Sequence, residues 1–287
     1  MITQIGNYEK DCDRLAGEQL HMTKFQTSVQ PSLCVSLILT ACIATGVQAV
    51  PVLGSAQAFS VLGASTVTNT GATTLVGDLG VFAGTAITGE STITLTGAVH
   101  KTDSVAQQAQ ADAQTGFGVM SGLLSTGNLT GQNLGGLTLT PGVYDFDASA
   151  QLTGTLVLDF QNNANAMFVF RIMSSLTTAS SSVVSIINGS ADDGLFWQVG
   201  SSATLGSTTV FAGSVVADQS ITLDTGAQIL CGRAIALHAA VTMDHNTIST
   251  ACPAVAPIGG GGTVPEPAGP ALVALALAAL AGARRWV

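Results

Sequence analysis

The chain has 287 residues, a formal net charge of −9, and only 9% charged and 5% aromatic residues against 47% hydrophobic ones. Between residues 50 and 253 the only cations are Lys101, Arg171 and Arg233, so no basic stripe exists for phosphate and a nucleic-acid partner is excluded. The same span holds twenty-eight Thr and abundant Gly, a mixture that argues against a helical bundle and for small-residue β structure with tight turns.

In chain order, the first element is an address. Lys24 precedes the apolar run LCVSLILTACIATGV (33–47), and Val47-Gln48-Ala49 places small residues at the −3 and −1 positions. This is the pattern of a secretory signal peptide cleaved after Ala49. Translation starts at Met1 or at Met22, the latter giving MTKFQTS as an ordinary n-region. A rival reading is a lipoprotein, with Leu39-Thr40-Ala41-Cys42 as a lipobox-like sequence, although the apolar run continues past Cys42.

Residues 50–255 then read as one β domain. TVTNTGATTLVGDL (66–79) is lined with Thr and carries one charge, Asp78. SATLG (202–206), SITLD (220–224) and AVTMD (240–244) align on Thr204, Thr222 and Thr242, spaced 18 and 20 residues apart, with β-branched Val210, Ile229 and Ile248 following. A period near twenty made of short strands and Gly turns suggests solenoid coils. STITLTG (91–97), QLTGTLVLD (151–159) and SLTTAS (175–180) fit the same repeat loosely, and TLVLDF (155–160) and MFVFRI (167–172) alternate as strands do. One segment breaks this pattern. TDSVAQQAQADAQTGFGVMSGLL (102–124) is rich in Ala and Gln, with Thr102 or Asp103 to cap it. Val105, Ala109, Ala113, Phe117, Met120 and Leu124 form one apolar stripe. A single helix is expected, fraying near Gly116 and Gly118 and packed along the solenoid.

The blocks FSVLGASTVTNTGATTLVGDLGV (59–81), the Ala/Gln helix, LTGQNLGGLTLTPGVYDF (129–146), AMFVFRI (166–172), FWQVGSSATLG (196–206) and ITLDTGAQILCGRAIA (221–236) together resemble the bacterial and fungal ice-binding-protein-like, or adhesin-like, β-solenoid family. The resemblance covers nearly all of residues 52–252. It implies an all-β fold with one long helix: a discontinuous right-handed β-solenoid of triangular section with the helix packed alongside. It also implies adsorption to ice through a flat Thr/Ser-rich face, with no catalysis and no cofactor. In some members a T-[AG]-x-[TN] motif lies on that face. Thr70-Gly71-Ala72-Thr73 and Thr85-Ala86-Ile87-Thr88 match it, whereas Thr225-Gly226-Ala227-Gln228 departs at its last position. Thr208, Thr247 and Ser249 lie at comparable offsets. The candidate face is therefore Thr70, Thr73, Thr85, Thr88, Thr208, Thr225, Thr247 and Ser249. The alternative is a surface or matrix adhesin that binds exopolysaccharide or neighbouring cells. Ice contact wants a charge-free Thr, Ser and Ala face, and glycan contact wants aromatic platforms, which two Trp and two Tyr scarcely supply.

The chain closes with a Gly-rich linker (256–263), then Val264-Pro265-Glu266-Pro267, an apolar run 271–282, and Arg284-Arg285. Residues 264–287 resemble a PEP-CTERM sorting signal. That resemblance implies an exosortase-type enzyme as a partner during export, in a Gram-negative bacterium, with the protein delivered to the cell surface or extracellular matrix. The membrane is then met only transiently or through the C-terminal helix. A plain single-pass tail anchor is the other reading, since 268–283 spans a bilayer only marginally with its basic end cytoplasmic.

Other chemistry is sparse. No H-x-x-x-H or C-x-x-C spacing offers a metal site. Asp244-His245 has no nucleophile motif beside it, and Asp192-Asp193 before Gly194 reads as a turn. Paired carboxylates of a polysaccharide-acting enzyme are not singled out by any spacing. In the mature span only Cys231 and Cys252 remain, about one coil apart. In an oxidising compartment they form a disulfide that staples the last coil; otherwise they are two thiols.

Overall fold

The computed structural model describes residues 52–252 apart from 164 and 190–193. The signal peptide, Asp192-Asp193, the Gly-rich linker and the PEP-CTERM-like tail lie outside the described residues.

Short strands coil in layers, and every strand pairing is parallel. Each full coil contributes a strand to each of three sides; the coil that begins with Gly127–Asn128 on the first side meets the second only through the Asn133–Gln151 bridge. The first side stacks Gly142–Phe146, Phe168–Ile172, Leu195–Val199, the second halves of Val210–Ala217 and Gln228–Ala236, then Phe59–Gly63, Asp78–Val81 and Val99–Lys101. The second stacks Ala150–Leu152, Leu176–Thr178, Ala203–Leu205, Ile221–Leu223, Val241–Asp244, Thr66–Thr70 and Ala86–Thr88. The third stacks Thr138–Leu139, Thr155–Asp159, Val183–Ile187, the first halves of the two long strands, Thr247–Ser249, Thr73–Val76 and Ile93–Leu95. The two long strands turn the corner between the third and first sides, where the register shifts between Ala212 and Gly213.

The stacking order is not the chain order. The two coils built from residues 59–101 sit beyond the last coil, so Val241–Asp244 pairs with Thr66–Thr70. This is the discontinuity that the family resemblance implies. The late repeat is also confirmed in register: Thr204 pairs with Thr222 and Thr222 with Thr242. Of the β-branched followers, Ile229 aligns with Ile248 but with Phe211 rather than Val210. The turns after Thr204 and Thr222 are equal in length, which places Phe211 opposite Ile229, and only the turn after Thr242 is one residue shorter.

Alternation sends every second strand residue inward, where like residues of successive coils meet. Tyr144, Phe170 and Trp197 are successive register partners. Phe170 and Trp197 stack at 4.0 Å between ring centroids, and Trp197 meets Phe211 at 4.8 Å. The indole N–H of Trp197 donates to the Ala212 carbonyl at 3.0 Å, which satisfies the one polar atom this residue carries inward.

The helix runs Ser104–Ser121, and the Asp103 carboxylate caps it by accepting from the Ala106 N–H at 2.8 Å. Its buried face is Ala106, Ala109, Ala113, Gly116 and Met120, packed on Leu62, Val143, Val169, Phe196, Val216 and Ile235 of the first side. Val105 and Leu124, expected in the stripe, are exposed instead. The helix ends three residues early, and its contact stripe is narrower because small Ala residues let it lie close to the sheet. It does not fray at Gly116. A Cβ there would sit 2.3 Å from the Val52 carbonyl oxygen, so Gly is what lets the entering segment cross the helix. Three carboxylates hold the helix down. Asp103 caps it, Asp112 accepts from the Ser55 N–H at 2.8 Å and from its hydroxyl at 2.6 Å, and Asp145 pairs with Arg171. The Arg171 guanidinium in turn donates to the Ser121 and Leu123 carbonyls at the helix end, both at 2.8 Å.

Two outcomes follow for stability. Gly118 has nothing within 4 Å of an added Cβ, so Gly118→Ala is expected to raise stability by about 0.5–1 kcal/mol. Gly116→Ala is expected to lower the thermal midpoint, and parallel melts of the two variants check the pair. The Ala106 N–H, the Ser55 hydroxyl and the Arg171 guanidinium hold Asp103, Asp112 and Asp145, respectively, below the ordinary carboxylate range. Depressed folded-state values contribute stability above the unfolded value of 3.8 and lose it as pH falls through the folded values. The thermal midpoint is therefore expected to drop below about pH 4, and Asp145→Asn should lower it at pH 7 while making that acid slope shallower.

Candidate functional site

The second side carries the most regular surface among the described residues. Its inward residues are aliphatic or small, including Ala150, Leu176, Ala203, Ile221, Val241 and Val67. Its outward central column runs Gln151, Thr177, Thr204, Thr222, Thr242, Thr68 and Thr88, each in register with the next. Two residues earlier on each strand lies a second column of Ser149, Ser175, Ser202, Ser220, Ala240, Thr66 and Ala86. Its hydroxyls link in pairs across coils, Ser149 to Ser175 and Ser220 to Ser202, at 2.9 Å each.

Parallel strands lie about 4.8 Å apart, and alternate residues along one strand about 6.6 Å apart. The two columns therefore form a lattice of hydroxyls and methyls with no charged member. β-Branched Thr has a stiff χ1, and Thr204, Thr222, Thr242 and Thr68 each have Thr above and below, so their side chains are held in one orientation by their own ladder.

Charge begins at the margins, where Asp224 and Asp244 stand two residues after Thr222 and Thr242. On one margin His238 Nδ1 lies 3.1 Å from an Asp218 carboxylate oxygen. On the other, the Asp244 carboxylate accepts from the Thr225 hydroxyl and lies 2.6 Å from His245 Nδ1. The Thr225 hydroxyl, with His245 second, holds Asp244 below the ordinary carboxylate range. These contacts make Asp244-His245 a corner pair rather than an acid–base couple. Among the described residues no group of three or more His, Cys, Asp or Glu is placed to hold a metal ion.

The sequence-derived residues fall in five places. Thr88 lies in the central column, next to Thr68. Thr70 is exposed at the end of its strand, in register with Asp244, and exposed Thr85 immediately precedes the strand Ala86–Thr88. Thr208 and Thr225 occupy turns at the corner with the third side, where Thr208 shares a hydrogen bond with Ser181 at 2.9 Å. Thr247 and Ser249 are on the third side. Thr73 requires correction as a contact residue: it is 1% exposed, and its hydroxyl accepts from the Asn246 N–H at 3.1 Å. The Thr70-Gly71-Ala72-Thr73 motif wraps a corner, so its two Thr face different ways. Gly71 has φ +75°, and an added Cβ would lie 2.0 Å from His245 Cε1, so the motif's Gly makes room for that ring.

The central column itself went unselected from sequence, apart from Thr88. Its signal was present in the 18- and 20-residue spacing of Thr204, Thr222 and Thr242, which served only to mark the repeat. The same register extends to Thr68 across the discontinuity and to Thr177. Cys231 and Cys252 are joined by a disulfide, with their Cα atoms 4.3 Å apart.

A parallel solenoid with one side whose two central columns are hydroxyl-lined and free of charge is a surface-binding scaffold, its chemistry spread over an array. Within that class, the chain belongs to the ice-binding-like family, whose model matches residues 61–249. An ice-binding protein of Nostoc sp. (strain HG1) is 51% identical over 203 residues, covering 71% of this chain and 75% of that protein. The crystal structure of an ice binding protein from an Antarctic biological consortium matches with a TM-score of 0.67 and 38% identity, over 80% of this chain and 96% of that one. The ice-binding protein of the ascomycete Antarctomyces psychrotrophicus matches with a TM-score of 0.66, also at 38% identity, over 69% and 97%.

Gly71→Ala is expected to destabilise the corner by at least about 1 kcal/mol, through the positive φ and the displaced His245 ring. A urea titration with unchanged m-value and a lower midpoint is the expected result.

Proposed function

We propose that this chain is an exported ice-binding protein that adsorbs to ice through the second side, with Thr68, Thr88, Thr177, Thr204, Thr222 and Thr242 at its centre. The observation that carries the reading is the unbroken central register of Thr from Thr177 to Thr88, with a column of Ser, Thr and Ala beside it and no charge in either column, in a member of this family. Methyl groups order the water next to them and hydroxyls hold it by hydrogen bonds. Charged groups would bind water in arrangements unlike a lattice. Each contact is weak, but a face already rigid loses little conformational entropy on adsorption, so the contacts accumulate. Adsorbed protein pins the growing front, which then advances only as curved segments between molecules. Recrystallisation is inhibited by the same pinning.

Of the residues selected from sequence, Thr88 stays at the centre, Thr70 and Thr85 at the margin, and Thr208 and Thr225 at the corner. Thr247 and Ser249 belong to a side that also carries Val157, Val183, Val210 and Leu230 outward. An adhesin reading that rests on aromatic platforms gains little, because Trp197 and Tyr144 are inside the core, 0% and 8% exposed.

The termini support export. The run ending at Ala49 fits a cleaved signal peptide. Pro265-Glu266-Pro267 with Arg284 and Arg285 fits recognition by an exosortase-type enzyme, and retention at the surface or in an exopolysaccharide matrix of a Gram-negative bacterium. Mass spectrometry of the protein recovered from producing cells should show a new N-terminus at Val50 and loss of the residues after the Pro-Glu-Pro motif. An intact chain would remove this part of the proposal.

Ice adsorption is tested with the purified chain in a nanolitre osmometer. A freezing gap with faceted crystals is expected. Thr222→Tyr and Thr204→Tyr should each abolish most of it, whereas Thr208→Tyr and Thr247→Tyr should leave it nearly intact. Round crystals and no gap from folded protein would refute the reading. Loss of the gap only in Thr247→Tyr would move the contact to the third side.

A further inference from the structure

The Thr face is assembled from two parts of the chain that meet at a seam. Residues 127–249 build one stack of coils and residues 59–101 another, and the first strand of each side in the second stack lies on the last of the first. On the first side Val61 and Leu62 pair with Ala234 and Ile235; on the third, Thr74–Val76 pair with Thr247–Ser249. On the second side the seam falls inside the central column, between Thr242 and Thr68. At other rungs successive coils follow one another in the chain. Here only non-covalent contacts hold the register: backbone ladders, the buried Thr73–Asn246 bond, and the Thr250 hydroxyl on the Val76 carbonyl at 3.0 Å.

The disulfide lies at this layer. Cys231 stands at the corner that begins the last coil, just before its first-side residues 232–236. Cys252 follows the third-side strand Thr247–Ser249, which completes that coil. The 21-residue separation is one circuit of the solenoid, so the bond closes the last coil into a covalent ring. That ring is the layer on which residues 59–101, from an earlier part of the chain, are stacked. Thr247–Ser249, the last strand among the described residues, lies between residues 228–230 and 74–76, so its displacement would release Thr73–Val76 and with it the corner that sets Thr66–Thr70.

We propose that Cys231 and Cys252 are positioning residues for the Thr face: by closing the last coil they keep its two chain-separated halves in one register, and ice adsorption depends on that closure. The inference rests on the second side being the ice-contact face. It treats the disulfide as setting geometry at the seam and not as a general stabiliser.

The test compares the full oxidised chain with Cys231→Ser/Cys252→Ser at 2 °C. It reads the freezing gap together with amide hydrogen exchange at 66–70 and 241–244 against the control strands 203–205 and 221–223. The variant is expected to lose most of the gap, with seam amides exchanging at least about tenfold faster and control amides unchanged. Adding Val76→Cys and Ser249→Cys to that variant joins two outward register partners across the seam and should restore both readouts. A full gap in the variant, whether or not the seam loosens, would overturn the proposal. So would equal loosening of seam and control strands, since that is general destabilisation. Absence of a gap in the oxidised parent chain would instead refute the ice-contact reading beneath it.

Discussion

The backbone ladder between coils is the constraint from which the other features follow. Parallel hydrogen bonding fixes the spacing of successive strands, and the two-residue repeat of a strand sends alternate side chains in and out. Once both are set, a residue type repeated from coil to coil becomes a straight column. Inside, the columns are aromatic and aliphatic, as in Tyr144, Phe170 and Trp197. Outside, on one side, they are Thr and Ser. The ladder that stacks the core also rules the spacing of the surface, so rigidity and surface order have one origin.

A solenoid leaves two ends and an exposed flank, and this chain treats each differently. The first side, which would otherwise present Val143, Val169, Phe196, Val216 and Ile235 to water, is covered by an Ala-rich helix. Ala suits that role because a short side chain lets a helix approach a flat sheet closely. One terminal coil carries an ion pair, Lys101 with Glu90. The other ends in very short strands near Asn128 and Asn133, whose side-chain oxygens accept from nearby backbone N–H groups at 2.9 Å. Short strands, a charge pair and satisfied turns all blunt an edge that would otherwise template pairing with another chain. Among the described residues no element covers the second side, and its polarity comes from hydroxyls rather than charge.

The cost of this arrangement is concentrated where the chain loses continuity. Two stacks built by distant segments must agree in register on three sides at once. Buried polar groups are gathered there: Thr73, 1% exposed, accepts from the Asn246 N–H across the seam at 3.1 Å, and Asn246, also 1% exposed, donates to the Asp224 and Ala227 carbonyls of the coil before it, both at 2.9 Å. Such groups specify one alignment because any slip leaves them unpaired in the interior. The last coil is thus the most constrained layer of the molecule, tied by side-chain bonds on one corner and by a disulfide on another.

Much of this was legible from residue order. Alternation and Gly turns announced strands, the Ala/Gln segment announced a helix with Asp103 as a capping candidate, and the spacing of Thr204, Thr222 and Thr242 announced the coil. Those signals are local: each depends on which side chains recur within one or two turns of chain. The outward direction of a given Thr was not legible, because a corner of one residue more or less turns a side chain from surface to core. Thr73 and Thr88 occupy the same place in matching motifs, yet one is buried behind a corner and the other stands in the central column. Nor could spacing join Thr68 to Thr242, since their adjacency arises only when the helix carries the chain to the far end and the coils return. By itself, then, the sequence determined the elements, their period and the uncharged character of one surface. Tertiary structure alone decided which hydroxyls share that surface, because a column is made by stacking, and stacking here brings together segments from opposite ends of the domain.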